Sequence, residues 1–329
     1  MLAQISRHKW FIICLFIAVL LAILRFNNGI IQQDNYIDYA KLLPSGVTNI
    51  SFYDSRLMPG LPILIYLLHF ITGNYYVAGY LITLASFVGC YLMLYKLTRS
   101  NLSFLPLIFP PILLNLASLI DTEFPFIFLI LLSYFLLKKR NYSWAFLLIG
   151  VSIWFRLAGV AVLAGVFIYM FFEKKTGKFF LNLPYFLIPV VVLCLYNMQL
   201  FGPKNPFYQL FAYEALHPGR ISFGIVQLGQ DLIRAFRWGW YRILVSGLFY
   251  VFVYFYLYLK SFKTKSLEFW IITGVYLFTL VVNLVPFLEN IGRYLAPTIP
   301  FFWLMFYSKL TKSKIIFLAI PLSAVIVAL

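Results

Sequence analysis

The sequence predicts an all-α polytopic membrane protein folded as a single domain over residues 1–329. Hydrophobic residues make up 63% of the 329 positions and charged residues only 11%, against about 25% charged in an ordinary soluble domain. The apolar residues fall into helix-length runs separated by short polar and basic clusters. No internal repeat, Gly/Ser linker or low-complexity tail interrupts them.

The runs follow in order. Arg7 and Lys9 precede Trp10–Leu24, and no small-residue cleavage site follows, so this run reads as a retained first helix rather than a signal peptide. Next comes a polar first loop, 25–75, which holds Asp34, Asp38 and Asp54 out of only 10 acidic residues, with Arg56 beside the last. Inside it lies a short apolar run, Leu61–Ile71, framed by Pro59 and Pro62 and stopped by Thr72, Gly73 and Asn74. The later runs are Tyr76–Tyr95, Leu102–Leu119, Phe124–Leu137, Tyr142–Phe155, Gly159–Phe172, Phe179–Phe201, Tyr241–Leu259, Leu267–Phe287, Leu295–Tyr307 and Ile315–Leu329. With residues 61–71 left out, these make about eleven spans, within a range of about ten to twelve, because several fall short of the roughly 20 residues an upright span needs. Cys14, Cys90 and Cys194 lie within apolar runs and read as small buried hydrophobes, with no disulfide framework.

Residues 61–71 are read as non-spanning because of where the basic residues fall. Lys and Arg cluster at Arg7/Lys9, Lys96/Arg99, Lys138–Arg140, Lys174/Lys175/Lys178, Lys260/Lys263/Lys265 and Lys309/Lys312/Lys314. If residues 61–71 do not cross, every one of these clusters falls on the cytoplasmic side, as basic loops do. All acids except Glu173 and Glu268 then fall on the opposite face. At about eleven residues the run is too short to cross upright, so it is expected to lie on or dip into the outer surface. The formal charge of +16 is then topological, which removes the case for nucleic acid as a partner.

The remaining polar groups gather on the outer face: Asp34, Asp38, Asp54 and Arg56 in the first loop, Asp121 and Glu123 before Phe124, Arg156 after Tyr142–Phe155, the long loop 202–240, and Glu289, Arg293 and Tyr294 before the Leu295 run. Charges at membrane depth are costly and mark functional candidates. Carboxylates serve as general bases, and guanidinium groups hold phosphate in two-point contact. Each has a plainer reading as well. Arg156 can snorkel, and Asp121-Thr122-Glu123 can cap the next helix. Glu123 and Arg156 are expected to meet across adjacent helices. Asp34 and Asp38 leave room for a divalent cation, Mg or Mn, without a complete ligand set. GxGxxG, GxxxxGK[ST], HExxH, GxSxG and CxxC are all missing, and His8, His69 and His217 are scattered.

Four stretches together resemble the GT-C class of integral membrane glycosyltransferases, and within it the GPI mannosyltransferase II-like group with its bacterial relatives. They are Asp34-Asn35-Tyr36 running to Tyr39-Ala40, RLMPGLPILIYLLHF (Arg56–Phe70), IDTEFPFIFLILLSYFLL (Ile120–Leu137) with WFRLAGV (Trp154–Val160), and GRYLAPTIPFFWL (Gly292–Leu304). The resemblance implies a membrane domain with a surface helix in the first outer loop. It implies Asp34 as general base, with Asp38 able to share that role, and Arg293 as ligand of a lipid phosphate. Glu123 and Arg156 match an acid and an arginine of the group's pattern. The implied reaction is inverting transfer of a hexose, mannose or glucose, from a polyprenyl-phosphate sugar. The acceptor would be a glycan, lipid or protein at the extracytoplasmic face of a cytoplasmic membrane. Two alternatives are a flippase or transporter of lipid-linked glycans, which would be expected to show a repeat and mid-helix charges, and a glycan polymerase or ligase.

Overall fold

A computed structural model describes residues 2–32, 34–45, 57–108, 111–209, 212, 226, 229, 230, 232, 233, 237, 241–281 and 287–310. The helices are α1 (Leu2–Asn27), α2 (Tyr36–Leu42), α3 (Gly60–Thr72), α4 (Tyr75–Thr98), α5 (Leu105–Ile108), α6 (Pro111–Ala117), α7 (Glu123–Lys138), α8 (Tyr142–Ser152), α9 (Gly159–Phe172), α10 (Thr176–Phe201), α11 (Tyr241–Ser261), α12 (Leu267–Val281), α13 (Phe287–Leu295) and α14 (Ile299–Leu310). Short 3-10 turns follow α2 and precede α14. Among the described residues there is no strand, only an isolated bridge between Gln32 and Ile120.

This is the fold of an all-α membrane protein. Among the described residues, α1 from His8, α4 and α10 are each long and apolar enough to cross a membrane. Large apolar side chains point outward from them and their neighbours, including Phe16 at 67%, Leu181 at 75% and Phe252 at 68% exposure. Such surface would be a liability in water and is what lipid contacts require.

Local chemistry sets the helix ends. Asn74 starts α4 by accepting from the Tyr76 and Val77 amides at 2.8 and 3.2 Å, the side-chain cap that Asn supplies well. Gly73, at φ +67°, closes α3 in a left-handed cap that glycine adopts without strain. Deeper in the bundle, α9 and α12 approach closely at Gly274, where a Cβ would lie 2.2 Å from the Ala161 carbonyl oxygen. Small residues allow this kind of backbone approach between membrane helices.

The longer helices alternate in direction, so the bundle has two ends. One end gathers the C-termini of α1, α6, α8 and α10 with the N-termini of α4, α7 and α9. There Arg25 bonds Asn115 and Ser118, Ile120 bonds Ile31, and the Tyr39 and Tyr196 hydroxyls meet at 3.4 Å. At the other end, His8 bonds Tyr91, Ser143 bonds Asn182, and Lys138 pairs with Glu268.

Three elements differ from or refine the sequence expectation. Within the run Leu102–Leu119 the described residues form two helices, α5 and α6, and Pro106 and Pro111 stand in their first turns, where proline is tolerated. The segment carrying Arg293 is helical, as α13. Helix α3 has 13 residues, about 20 Å at 1.5 Å per residue, against about 30 Å of hydrocarbon. Its first residue bonds the Trp154 carbonyl at 2.8 Å and its last turn leads straight into α4, so both of its ends belong to the first end of the bundle. Asp54, Arg56, the run 315–329 and most of the loop 202–240 lie outside the described residues.

Candidate functional site

Four separate segments deliver charged side chains to that first end. The Ile120 amide donates to the Ile31 carbonyl at 3.1 Å, which lays the chain after α1 beside the start of α7. Arg25 secures this approach by donating to the Asn115 carbonyl at 2.9 Å and the Ser118 hydroxyl at 2.5 Å. Asp34 therefore stands near Asp121 and Glu123. The turn between α8 and α9 presents Arg156. It is braced by Trp154 Nε1, which donates to the Pro189 carbonyl at 2.9 Å, and by Gly60, where a Cβ would lie 2.6 Å from the Trp154 oxygen. Helix α13 brings Arg293, and the Tyr254 hydroxyl holds the preceding Gly292 carbonyl at 3.2 Å.

Glu123 bridges the two arginines: Arg156 Nη1 and Arg293 Nε both donate to its Oε1. Arg293 Nη2 also reaches Asp121 Oδ1 at 3.0 Å, Glu123 Oε2 at 3.5 Å and Asp34 Oδ2 at 3.5 Å. One guanidinium thus faces three carboxylates from two nitrogens, Nε and Nη2, a planar spread of donors that an ammonium's single nitrogen lacks. The cluster is layered. Glu123 and Asp121 side chains are 0% and 1% exposed, whereas Asp34, Arg293 and Arg156 keep 19%, 15% and 14%. Asp121 Oδ2 is buried without a hydrogen-bond partner among the described residues.

Tyr36 lines the same floor. Its hydroxyl lies 3.4 Å from both Asp34 Oδ2 and Thr122 Oγ1, and Asp121 Oδ1 accepts from the Thr122 amide at 2.6 Å. Burial, then the charges of Asp34 and Asp121, push the Tyr36 phenol above its ordinary range, so it stays a neutral donor. Burial pulls Arg293 down, but the carboxylates led by Asp121 outweigh it and hold the guanidinium firmly charged. Burial and the neighbouring Arg293 draw Arg156 down. Buried charges persist only when paired in this way.

No protein-family model, curated protein or solved structure matches the chain.

The arrangement has its own chemical meaning. It combines a partly open carboxylate with two arginines positioned by deeper acids, which can accept a proton and hold an anion side by side. Of the sequence candidates, Asp34, Asp121, Glu123, Arg156 and Arg293 converge, and the expected meeting of Glu123 with Arg156 is present. Tyr294 follows Arg293 on α13 and is half-buried. Asp38 does not join them. It stands on the exposed face of α2, 3.5 Å from Lys41 Nζ. Asp34 and Asp38 turn to different partners, Arg293 and Lys41, and among the described residues no three His, Cys, Asp or Glu side chains form a metal group. Glu289 lies on α13 with its side chain outside the described residues, as are Asp54 and Arg56. Tyr36, Thr122 and Arg25 join the site from outside the sequence candidates. The available signal was position: Tyr36 and Thr122 each adjoin an acid candidate within two residues.

Proposed function

We propose that the chain is a membrane glycosyltransferase that moves a hexose, mannose or glucose, from a polyprenyl-phosphate sugar to an acceptor hydroxyl. The observation that carries this reading is the layering: Asp34 is the most open carboxylate of the cluster, and it shares Arg293 with two enclosed ones. In the reaction, the acceptor hydroxyl gives its proton to Asp34 as its oxygen bonds the anomeric carbon. The bond from that carbon to the phosphate oxygen breaks with inversion, and polyprenyl phosphate leaves with the electron pair. The negative charge lost at Asp34 is the one gained at the phosphate. An arginine within reach of both stabilises the transfer with little rearrangement, as preorganised charge does. Glu123 and Asp121 hold Arg293 and Arg156 in place.

The chain would be multi-pass, with this end on the extracytoplasmic face where lipid-linked sugars and their glycan, lipid or protein acceptors meet. Charge placement supports that orientation. A cysteine introduced at Arg99 should resist an impermeant reagent added outside; labelling there would reverse the assignment.

The activity test uses purified protein, a labelled short-chain polyprenyl-phosphate mannose or glucose, and membranes supplying the acceptor. Transfer is expected, and Arg293→Lys should raise the donor KM about tenfold or more, because a point charge does not replace the guanidinium fork. Wild-type protein that leaves both sugars on their lipid would overturn the proposal.

A further inference from the structure

The three carboxylates on Arg293 differ in how firmly they hold it. Glu123 is fully enclosed and is pinned a second time by Arg156. Asp121 is enclosed and lies 3.0 Å away. Asp34 lies at 3.5 Å, is 19% exposed, and sits before the start of α2 rather than within a helix. It is the partner that a second anion reaching Arg293 from the open side displaces first.

We infer that the Asp34–Arg293 contact is a latch opened by the donor. The donor's phosphodiester takes the place of Asp34 on the outer edge of Arg293, and the freed carboxylate turns to the acceptor hydroxyl. This rests on the reading of the site as a donor-phosphate site and adds an order to it: donor first, base second. Two features make the exchange cheap. One anion replaces another, so Arg293 keeps the same number of negative neighbours, and Glu123 and Asp121 keep its plane fixed throughout. Asp34 also has a second neighbour that limits its travel: its Oδ2 lies 3.4 Å from the Tyr36 hydroxyl, and Tyr36 is itself buried against Thr122. Without donor, the base is tied up in an ion pair and the acceptor hydroxyl is not activated.

A latch makes a prediction opposite to that of a simple base. If Asp34 competes with phosphate for Arg293, then removing its charge stops transfer and yet tightens phosphate binding. The probe is farnesyl phosphate, which carries the phosphate and an isoprenoid but no sugar, titrated into detergent-solubilised protein by calorimetry. Asp34→Asn is expected to bind it about five- to tenfold more tightly than wild type, the lower part of the usual coupling range. Asp34→Ser should do the same if the asparagine variant is poorly folded by gel filtration. Asp38→Asn should bind like wild type. Unchanged or weaker binding by the Asp34 variants, with wild type binding normally, overturns the latch and leaves the donor-site reading standing. Failure of wild type and the Asp34 variants alike to bind farnesyl phosphate overturns the donor-site reading, and the latch with it.

Discussion

At one end of the bundle Asp34, Asp121, Glu123, Arg156 and Arg293 close on one another; at the other, Glu268 accepts from the buried Tyr134 hydroxyl and pairs with Lys138 at 3.2 Å. Both ends place an acid in the protein interior. They differ in the cation. Lys138 is 48% exposed and keeps much of its hydration, so Glu268 is satisfied by a neutral phenol and a partly solvated ammonium. Arg156 and Arg293 are mostly enclosed and are held by fixed carboxylates. The basic end also uses cations for a local task. Arg99, Arg140 and Lys174, just beyond the ends of α4, α7 and α9, adopt positive φ. A non-glycine residue there costs roughly 1–2 kcal/mol, partly offset by placing a cation at a helix C-terminus. At the acidic end Arg293 also lies in the last turn of its helix and Glu123 in the first turn of α7, but there the charged groups bond one another as well. The two ends show that what distinguishes a candidate site is charge held out of water by other charge, not charge as such.

The sharpest way to break this comparison is to remove one member of each cluster. Glu123→Gln leaves two mostly enclosed guanidinium groups short of their shared counter-charge and should destabilise the protein by about 3–5 kcal/mol. Thermal denaturation in detergent measures it. Adding Arg156→Met should recover part of that loss; strictly additive losses would mean that Glu123 and Arg156 do not act as a pair. At the other end, Glu268→Gln should cost only about 1 kcal/mol, because the amide oxygen still accepts from Tyr134 and Lys138 turns to water. A loss there as large as that at Glu123 would erase the distinction between the ends.

Much of the acidic end was legible beforehand. Asp34, Glu123, Arg156 and Arg293 stand out because charges are rare in this chain and these fall at the edges of apolar runs. The short run before Gly73 was recognisable by length and charge placement. Other features depend on three-dimensional register. Asp34 and Asp38 are four residues apart and would share one face of a helix that included both. The helix starts at Tyr36, so Asp34 stays outside it and turns to Arg293, while Asp38 faces out toward Lys41. The start of α6 is marked in the sequence by Pro111, but the hydrophobicity of the run Leu102–Leu119 masks it. The role of Arg25 in setting the approach of Asp34 rests on Asn115 and Ser118, contacts between residues some 90 positions apart in sequence that no local pattern reveals.

The most direct measurement is turnover of a labelled short-chain polyprenyl-phosphate sugar by equal amounts of folded wild type, Asp34→Asn, Asp38→Asn and Glu268→Gln. The account predicts a loss of about a hundredfold to ten-thousandfold for Asp34→Asn, the usual consequence of removing a general base, with the other two within about twofold of wild type. Near-normal turnover by Asp34→Asn would contradict it, whether Asp38→Asn or Glu268→Gln took the loss instead.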